Sequence, residues 1–138
     1  MNRLAGKSKS SKSSRSNKAF YLDEGGPVFI AMYLRSEGCN VTTVPPYLRG
    51  ASDVAQVIQA AKAGRIFVAV DKDVSGYTFP VRRIIESPGV NVITSASASS
   101  QHYQILCRKL LKFLDGSSIA GKLCLVSDGG VRIKKVVE

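Results

Sequence analysis

Gly64-Arg65-Ile66-Phe67-Val68-Ala69-Val70-Asp71-Lys72-Asp73 is the stretch whose reading decides the fold. Ile66 to Val70 is a short, unbroken apolar run of β-formers. A run this short and this apolar predicts a strand buried on both faces, as in a parallel sheet. It stops at Asp71-Lys72-Asp73. Open α/β sheets place their ligands at the carboxyl ends of their strands, so two carboxylates there are candidate site residues. Ala19-Phe20-Tyr21-Leu22 repeats the design and stops at Asp23-Glu24. Two strands that end in paired acids, in a chain with only 10 acids, are the main clue to function.

Working outward, the elements alternate. A first strand over about 18–22 leads through Gly25-Gly26 to Pro27, which suits a first helical position because its missing N–H costs nothing there. Val28, Phe29, Ile30, Met32, Tyr33 and Leu34 give the following helix a broad apolar surface, and Gly38 ends it. Residues 40–44 read as a second strand. After the loop Pro45 to Gly50, Ser52 or Asp53 caps a helix to about Ala63, with Val54, Val57, Ile58 and Ala61 toward the sheet. The Ile66–Val70 strand is the third. Pro80 opens a short helix with Val81, Ile84 and Ile85 inside. Val90 to Ile93 is the fourth strand. A helix over about 101–114 carries Tyr103, Leu106, Leu110 and Leu114 at helical spacing. The tail around Asp128-Gly129-Gly130 signals a β-hairpin. Strands linked by short helices predict an α/β fold with a mainly parallel sheet.

The chain has 138 residues and a net charge of +10. That length suits one domain with a modest core. No segment approaches the roughly 18 consecutive apolar residues of a membrane span. The basic N-terminus has no apolar core behind it and does not read as a secretory signal, so a cytoplasmic protein is expected. Residues 1–17 are rich in Ser and Lys and predict a disordered arm ahead of a domain over 18–138. Lys7, Lys9, Lys12, Arg15 and Lys18 could contact phosphates without reading sequence. The plainer reading is a solubilising tail. Excess positive charge fits a polyanion, RNA first and DNA second.

Cys39, Cys107 and Cys124 are widely spaced, with no Cys/His cluster, and read as reduced thiols in or near the core rather than zinc ligands. His102 is the only histidine, with no carboxylate near it in the sequence, and is set aside as a catalyst.

Asp23, Glu24, Asp71 and Asp73 share one edge if the first and third strands are neighbours, and Asp53 could approach it. Clustered carboxylates repel unless they share a cation or raise one another's pKa. Oxygen-only donors suit Mg²⁺ or Mn²⁺. Such ions can activate water and stabilise the leaving oxygen of a phosphodiester. Lys72, Arg82 and Arg83 lie close enough in sequence to meet the substrate backbone. The plainer reading is that these acids cap helices and end strands. Receiver domains of signalling proteins also gather acids at strand ends. They need a lysine after the last strand of a doubly wound five-strand order, and a hairpin ending does not fit that plan.

FYLDEGGP, GCNVTTV, GASDVAQVIQAA, GRIFVAVDKDV and DGGVRIKKV, in that order and spacing, resemble the short PIN-like domains of the toxin-associated branch. The resemblance covers about 19–136. It implies a three-layer α/β/α sandwich with a C-terminal β-hairpin and a Mg²⁺- or Mn²⁺-dependent endoribonuclease. The implied catalytic residues are Asp23, Asp53, Asp71 and Asp73, with Asp23, Glu24, Asp71 and Asp73 holding metal. It also implies an antitoxin-like protein partner and admits a homodimer. Gly25 stands where members carry Asn, and Val74 where they carry Phe. The alternative is a non-catalytic nucleic-acid-binding protein on a degenerate PIN-like fold. A third reading is a partner-controlled interaction module.

Overall fold

The computed structural model describes residues 18–70, 81–94 and 99–134. In chain order it contains β1 (Ala19–Leu22), α1 (Val28–Ser36), β2 (Asn40–Thr43), a 3₁₀ turn (Pro46–Leu48), α2 (Asp53–Lys62), β3 (Ile66–Val70), α3 (Val81–Ile85), β4 (Val90–Ile93), α4 (Ser100–Gly116), β5 (Leu123–Ser127) and β6 (Gly130–Lys134). The six strands form one sheet in the order β2-β1-β3-β4-β5-β6. The first five are parallel, and β6 pairs antiparallel with β5 across a two-residue loop, Asp128-Gly129. The α/β expectation therefore holds, with helices on both faces, an arrangement compatible with a three-layer sandwich. Among the described residues no helix is long and apolar enough to cross a membrane.

The alternation of each strand divides the core in two. Phe20, Leu22, Val68, Ile93, Cys124 and Val126 point to one face, under α1 and α4. Tyr21, Phe67, Ala69, Val90, Val92, Leu123 and Leu125 point to the other, where Val57 and Ala60 of α2 and Ile84 of α3 cover them. On α4, Tyr103, Leu106, Cys107, Leu110, Leu111 and Leu114 recur at three- and four-residue intervals and are all buried, which is the stripe one helix face presents to a sheet. All three cysteines are free thiols within this core, as expected.

Two burial expectations fail. Ile85 is 58 % exposed, while Ile84 takes an inward position on the five-residue α3; the side chain of Val81 lies outside what the structure describes. On α1 the apolar surface is broader than the sheet can use: Ile30, Ala31 and Leu34 are buried, while Met32 stays 59 % exposed beside exposed Val28 and Phe29.

A closing hairpin was expected to fit a doubly wound five-strand order poorly; β2-β1-β3-β4-β5 is that order, with β6 added outside it. The departure from a simple doubly wound plan lies in α4. Helix α1 carries the chain from β1 to β2 on one face. Helices α2 and α3 carry it the opposite way on the opposite face, which gives the same hand. Helix α4 continues in the direction of α2 and α3 but lies on the face of α1, against which it packs. With the first three connections in the right-handed form that about 98 % of such crossovers take, β4–α4–β5 is left-handed. The packing supplies a reason. Nine-residue α1 covers only part of its face. Among the described residues no helix follows β5 to cover the rest. Seventeen-residue α4 does so.

Candidate functional site

Strands β1 and β3 are direct neighbours, paired Phe20↔Ile66, Tyr21↔Phe67 and Leu22↔Val68. The crevice between them is the point where the chain reverses its direction across the sheet, and ligands of open α/β sheets bind at such points. Asp23 stands at the carboxyl end of β1. Its N–H continues the ladder by donating to the Val68 carbonyl at 2.8 Å, and its own carbonyl accepts from Gly26 N–H at 2.9 Å, closing the turn into α1. Its side chain is half-buried. Pro27 precedes α1 as its N-cap, one position earlier than expected.

Glu24 sits beside it with a structural task. Its Oε1 accepts from Gly50 N–H at 2.8 Å, while its N–H donates to Gln56 Oε1 at 3.2 Å. Gln56 Nε2 in turn donates to the Ala51 carbonyl at 3.2 Å. Gln56 is only 2 % exposed, so these bonds satisfy an amide that burial would otherwise penalise. Together they fasten the acidic turn to the start of α2. Ser52 rather than Asp53 caps that helix, through a bond from Ala55 N–H to its hydroxyl. Asp53 is the first residue of α2, tied to the same edge through Gln56; its side chain lies outside what the structure describes.

Tyr21 lies under this turn, stacked on Phe67 with ring centroids 5.9 Å apart. Burial raises its hydroxyl above the ordinary tyrosine range, and Tyr47, Asp23 and Glu24 add to the shift by repelling a phenolate.

A cavity of about 410 Å³ opens next to Asp23 on the β2 side. Asp23, Glu24, Arg35 and Arg49 give it both signs of charge, over a floor that includes Leu22 and Val44. Arg35 is held by a bond from its Nη2 to the Val41 carbonyl at 2.9 Å. A second concavity, at the amino ends of the strands, is lined by Lys18, Ile66 and Ile119 and holds no paired acids.

The remaining expected residues divide as follows. Asp71, Lys72 and Asp73 lie outside the described residues, as do Lys7, Lys9, Lys12 and Arg15. Lys18 lies at the amino end of β1, the far edge from Asp23. Its side chain is 16 % exposed and pairs with Asp115 at 3.8 Å. Arg82 and Arg83 are exposed on α3, and both pair with Glu86, at 3.4 and 3.8 Å. Among the described residues no three His, Cys, Asp or Glu side chains form a group that could hold a metal ion.

Sequence reasoning missed Gln56, Arg35, Arg49 and one dyad. His102 Nε2 lies 2.9 Å from Asp128 Oδ1, which corrects the reading of His102 as lacking a carboxylate neighbour. Lys109 Nζ donates to the Asp128 carbonyl at 3.0 Å, so α4 is bonded to the β5–β6 turn through Lys109 and touches it through His102. Gln56 had a visible signal, a polar residue directly before the inward-facing Val57. The others did not, since each depends on contacts between distant elements.

No protein-family model matches the chain, and no match was found among curated proteins or solved structures.

Proposed function

We propose that the chain is a PIN-like, Mg²⁺- or Mn²⁺-dependent endoribonuclease that hydrolyses RNA phosphodiesters at the carboxyl edge of β1 and β3. The observation that carries this reading is the direct parallel pairing of those strands. Asp23 follows one of them in the sequence and Asp71-Lys72-Asp73 the other, and the crevice between two such strands is of the kind that binds ligands. The donor set fits, because Asp23, Asp71 and Asp73 offer oxygen only, as hard divalent cations require. Such a cation supplies an activated water and a counter-charge for the leaving oxygen. Asp23, its backbone rooted in the ladder through its own N–H, provides a carboxylate at a set place on this edge. Glu24 and Gln56 hold the turn in place, which matters because small displacements of reacting groups are costly. Asp53, at the start of α2, serves as the further acid. A receiver-like reading is less well supported: Ser127, at the end of β5, is followed by Asp128 and Gly129 where a lysine is needed, and the α4 crossover lies on the wrong face for a simple doubly wound plan.

A second reading, a nucleic-acid-binding protein without catalysis, is favoured by one observation. Glu24 Oε1 accepts a backbone N–H, which gives this expected metal ligand a structural task in the turn. Calorimetric titration with Mn²⁺ of the wild type, Asp23→Asn and Asp71→Asn separates the two. Binding that both substitutions abolish, together with metal-dependent cleavage of RNA, supports the nuclease. Absence of both in the wild type, with RNA present, leaves the binding protein.

A further inference from the structure

We propose that the cavity beside Asp23 is a subsite for one nucleotide of single-stranded RNA, in which Arg35 and Arg49 take the phosphate and Tyr47 stacks the base. The inference rests on the nucleic-acid reading of the acidic edge and does not depend on cleavage.

The position comes first. Strand β2 lies on the opposite side of β1 from β3. The cavity, on the β2 side, therefore leaves the β1/β3 crevice clear, and Asp23 borders both. A strand whose scissile phosphate met Asp23 would lay its neighbouring nucleotide in the cavity.

The chemistry comes second. Two carboxylates at this mouth repel a phosphate, and two guanidinium groups lining the same cavity offset that repulsion. Guanidinium matches phosphate with two parallel N–H donors. One Arg35 arm is spent on the Val41 carbonyl, which fixes the plane of the group and leaves its other donors for an anion. Arg49 is exposed at the end of the 3₁₀ turn. Both residues lie outside the set that the family resemblance implies.

Size and shape come third. A volume of about 410 Å³ lies at the low end of the roughly 300–1,000 Å³ of small-molecule sites, which suits one nucleotide and excludes a duplex. Tyr47 is 74 % exposed, in the turn between Val44 and Arg49, both of which line the cavity. The turn that carries Tyr47 thus adjoins the cavity, and an exposed aromatic ring on such a turn is the kind of platform on which an unstacked base packs, the way single strands are recognised.

The test is fluorescence anisotropy of a short labelled oligouridylate with the full chain, in EDTA at two salt concentrations. The wild type, Arg49→Ala, Tyr47→Ala and Lys62→Ala are compared. Lys62 is exposed at the end of α2 distant from the cavity and controls for loss of one positive charge. Arg49→Ala should weaken binding about tenfold and lower the salt slope by roughly 0.7, the loss of one single-strand phosphate contact. Tyr47→Ala should weaken binding by about fivefold or more, with the salt slope unchanged. Lys62→Ala should bind as the wild type does, and a duplex of the same length should compete poorly. Equal binding by Arg49→Ala and Lys62→Ala overturns the subsite, and so does a wild type that does not bind the single strand. Binding that Arg49→Ala weakens, without metal-dependent cleavage, keeps the subsite and rejects the nuclease. Cleavage that Arg49→Ala leaves unchanged in KM does the reverse.

Discussion

The two ends of the sheet are built to opposite specifications. At the amino ends of the strands the chain is packed against itself. Gly89 enters β4 with φ +139°, and a Cβ there would lie 2.6 Å from Ile119 Cγ1 and 2.9 Å from the Ile119 carbonyl oxygen. Gly121 N–H donates to the Ser87 carbonyl at 2.9 Å, and Ser87 Oγ donates to the Ile84 carbonyl at 2.8 Å. Arg65 Nη1 donates to Asn40 Oδ1 at 2.7 Å and to the Phe20 carbonyl, stitching the start of β3 to β1 and β2. At the carboxyl ends, acids and arginines line a cavity, and the turn between Val44 and Arg49 carries an exposed tyrosine. Polar groups at the first end lock strand starts and loops together, whereas at the second end Glu24 and Gln56 brace a turn beside a cavity that carries both signs of charge.

The comparison is most severely tested at Gly89. Replacing it with Val introduces a side chain where backbone blocks it, at a φ that β-branched residues avoid, and should cost more than about 3 kcal/mol in urea denaturation. A Gly89→Val chain of wild-type stability would show that the amino end is not the rigid one. Gln56→Leu comes next. It strips partners from Glu24 N–H and the Ala51 carbonyl and should cost about 1–3 kcal/mol. Here RNA binding should fall as well, because the acidic turn loses its anchor; a stability loss with unchanged binding would mean that the turn holds its place alone. Asp23→Asn should leave the denaturation midpoint within about 0.5 kcal/mol of the wild type while removing Mn²⁺ binding. A stability loss much larger than that would reassign Asp23 to the structural side.

Alkaline pH sharpens the contrast further. Burial pushes the Cys107 thiol up to about 12 and the Cys124 thiol to about 11, from 9.0. Native thiols stay neutral where unfolded ones ionise. Stability is therefore unaffected below about pH 9 and falls as pH rises from there toward 12. Urea midpoints measured across that window should decline, and thiol reagents should modify both cysteines only at the rate of unfolding. Lys18→Ala should have the smallest effect, under about 1 kcal/mol, since its pairing with Asp115 at 3.8 Å is a loose contact near the surface. A marked loss of RNA affinity in that variant would contradict its placement at the far edge.

Much of this was legible in the chain. The Ile66–Val70 run announced a buried parallel strand, Ser52 a helix start, Asp128-Gly129 a hairpin, and the alternation of strands and helices the fold class. Those signals are local: residue type and spacing carry them. The adjacency of β1 and β3, stated only as a condition, was met. The hand of the β4–α4–β5 connection was not legible, because the periodicity of Tyr103 to Leu114 shows an apolar stripe without saying which face of the sheet receives it. That choice depends on how much surface α1 leaves bare. The roles of Arg35 and Arg49 were hidden for the same reason, since a cavity wall assembled from α1, β2 and a turn has no signature within any one of them. Met32 and Ile85 show the converse, apolar residues at helical spacing that the sheet had no room to cover.

The placement of α4 also bears on how this chain emerges from a ribosome. Ile30 and Leu34 of α1, and the strand side chains beneath α4, find their cover only once residues up to Gly116 have been synthesised. A nascent chain that has reached Thr94 has made four of the five parallel strands, yet one of its two apolar layers is still wet. Residues 18–94 lack the cover that this layer needs, and the layer closes when α4 is added. Fragments ending near Thr94 should therefore be chaperone clients rather than small folded domains.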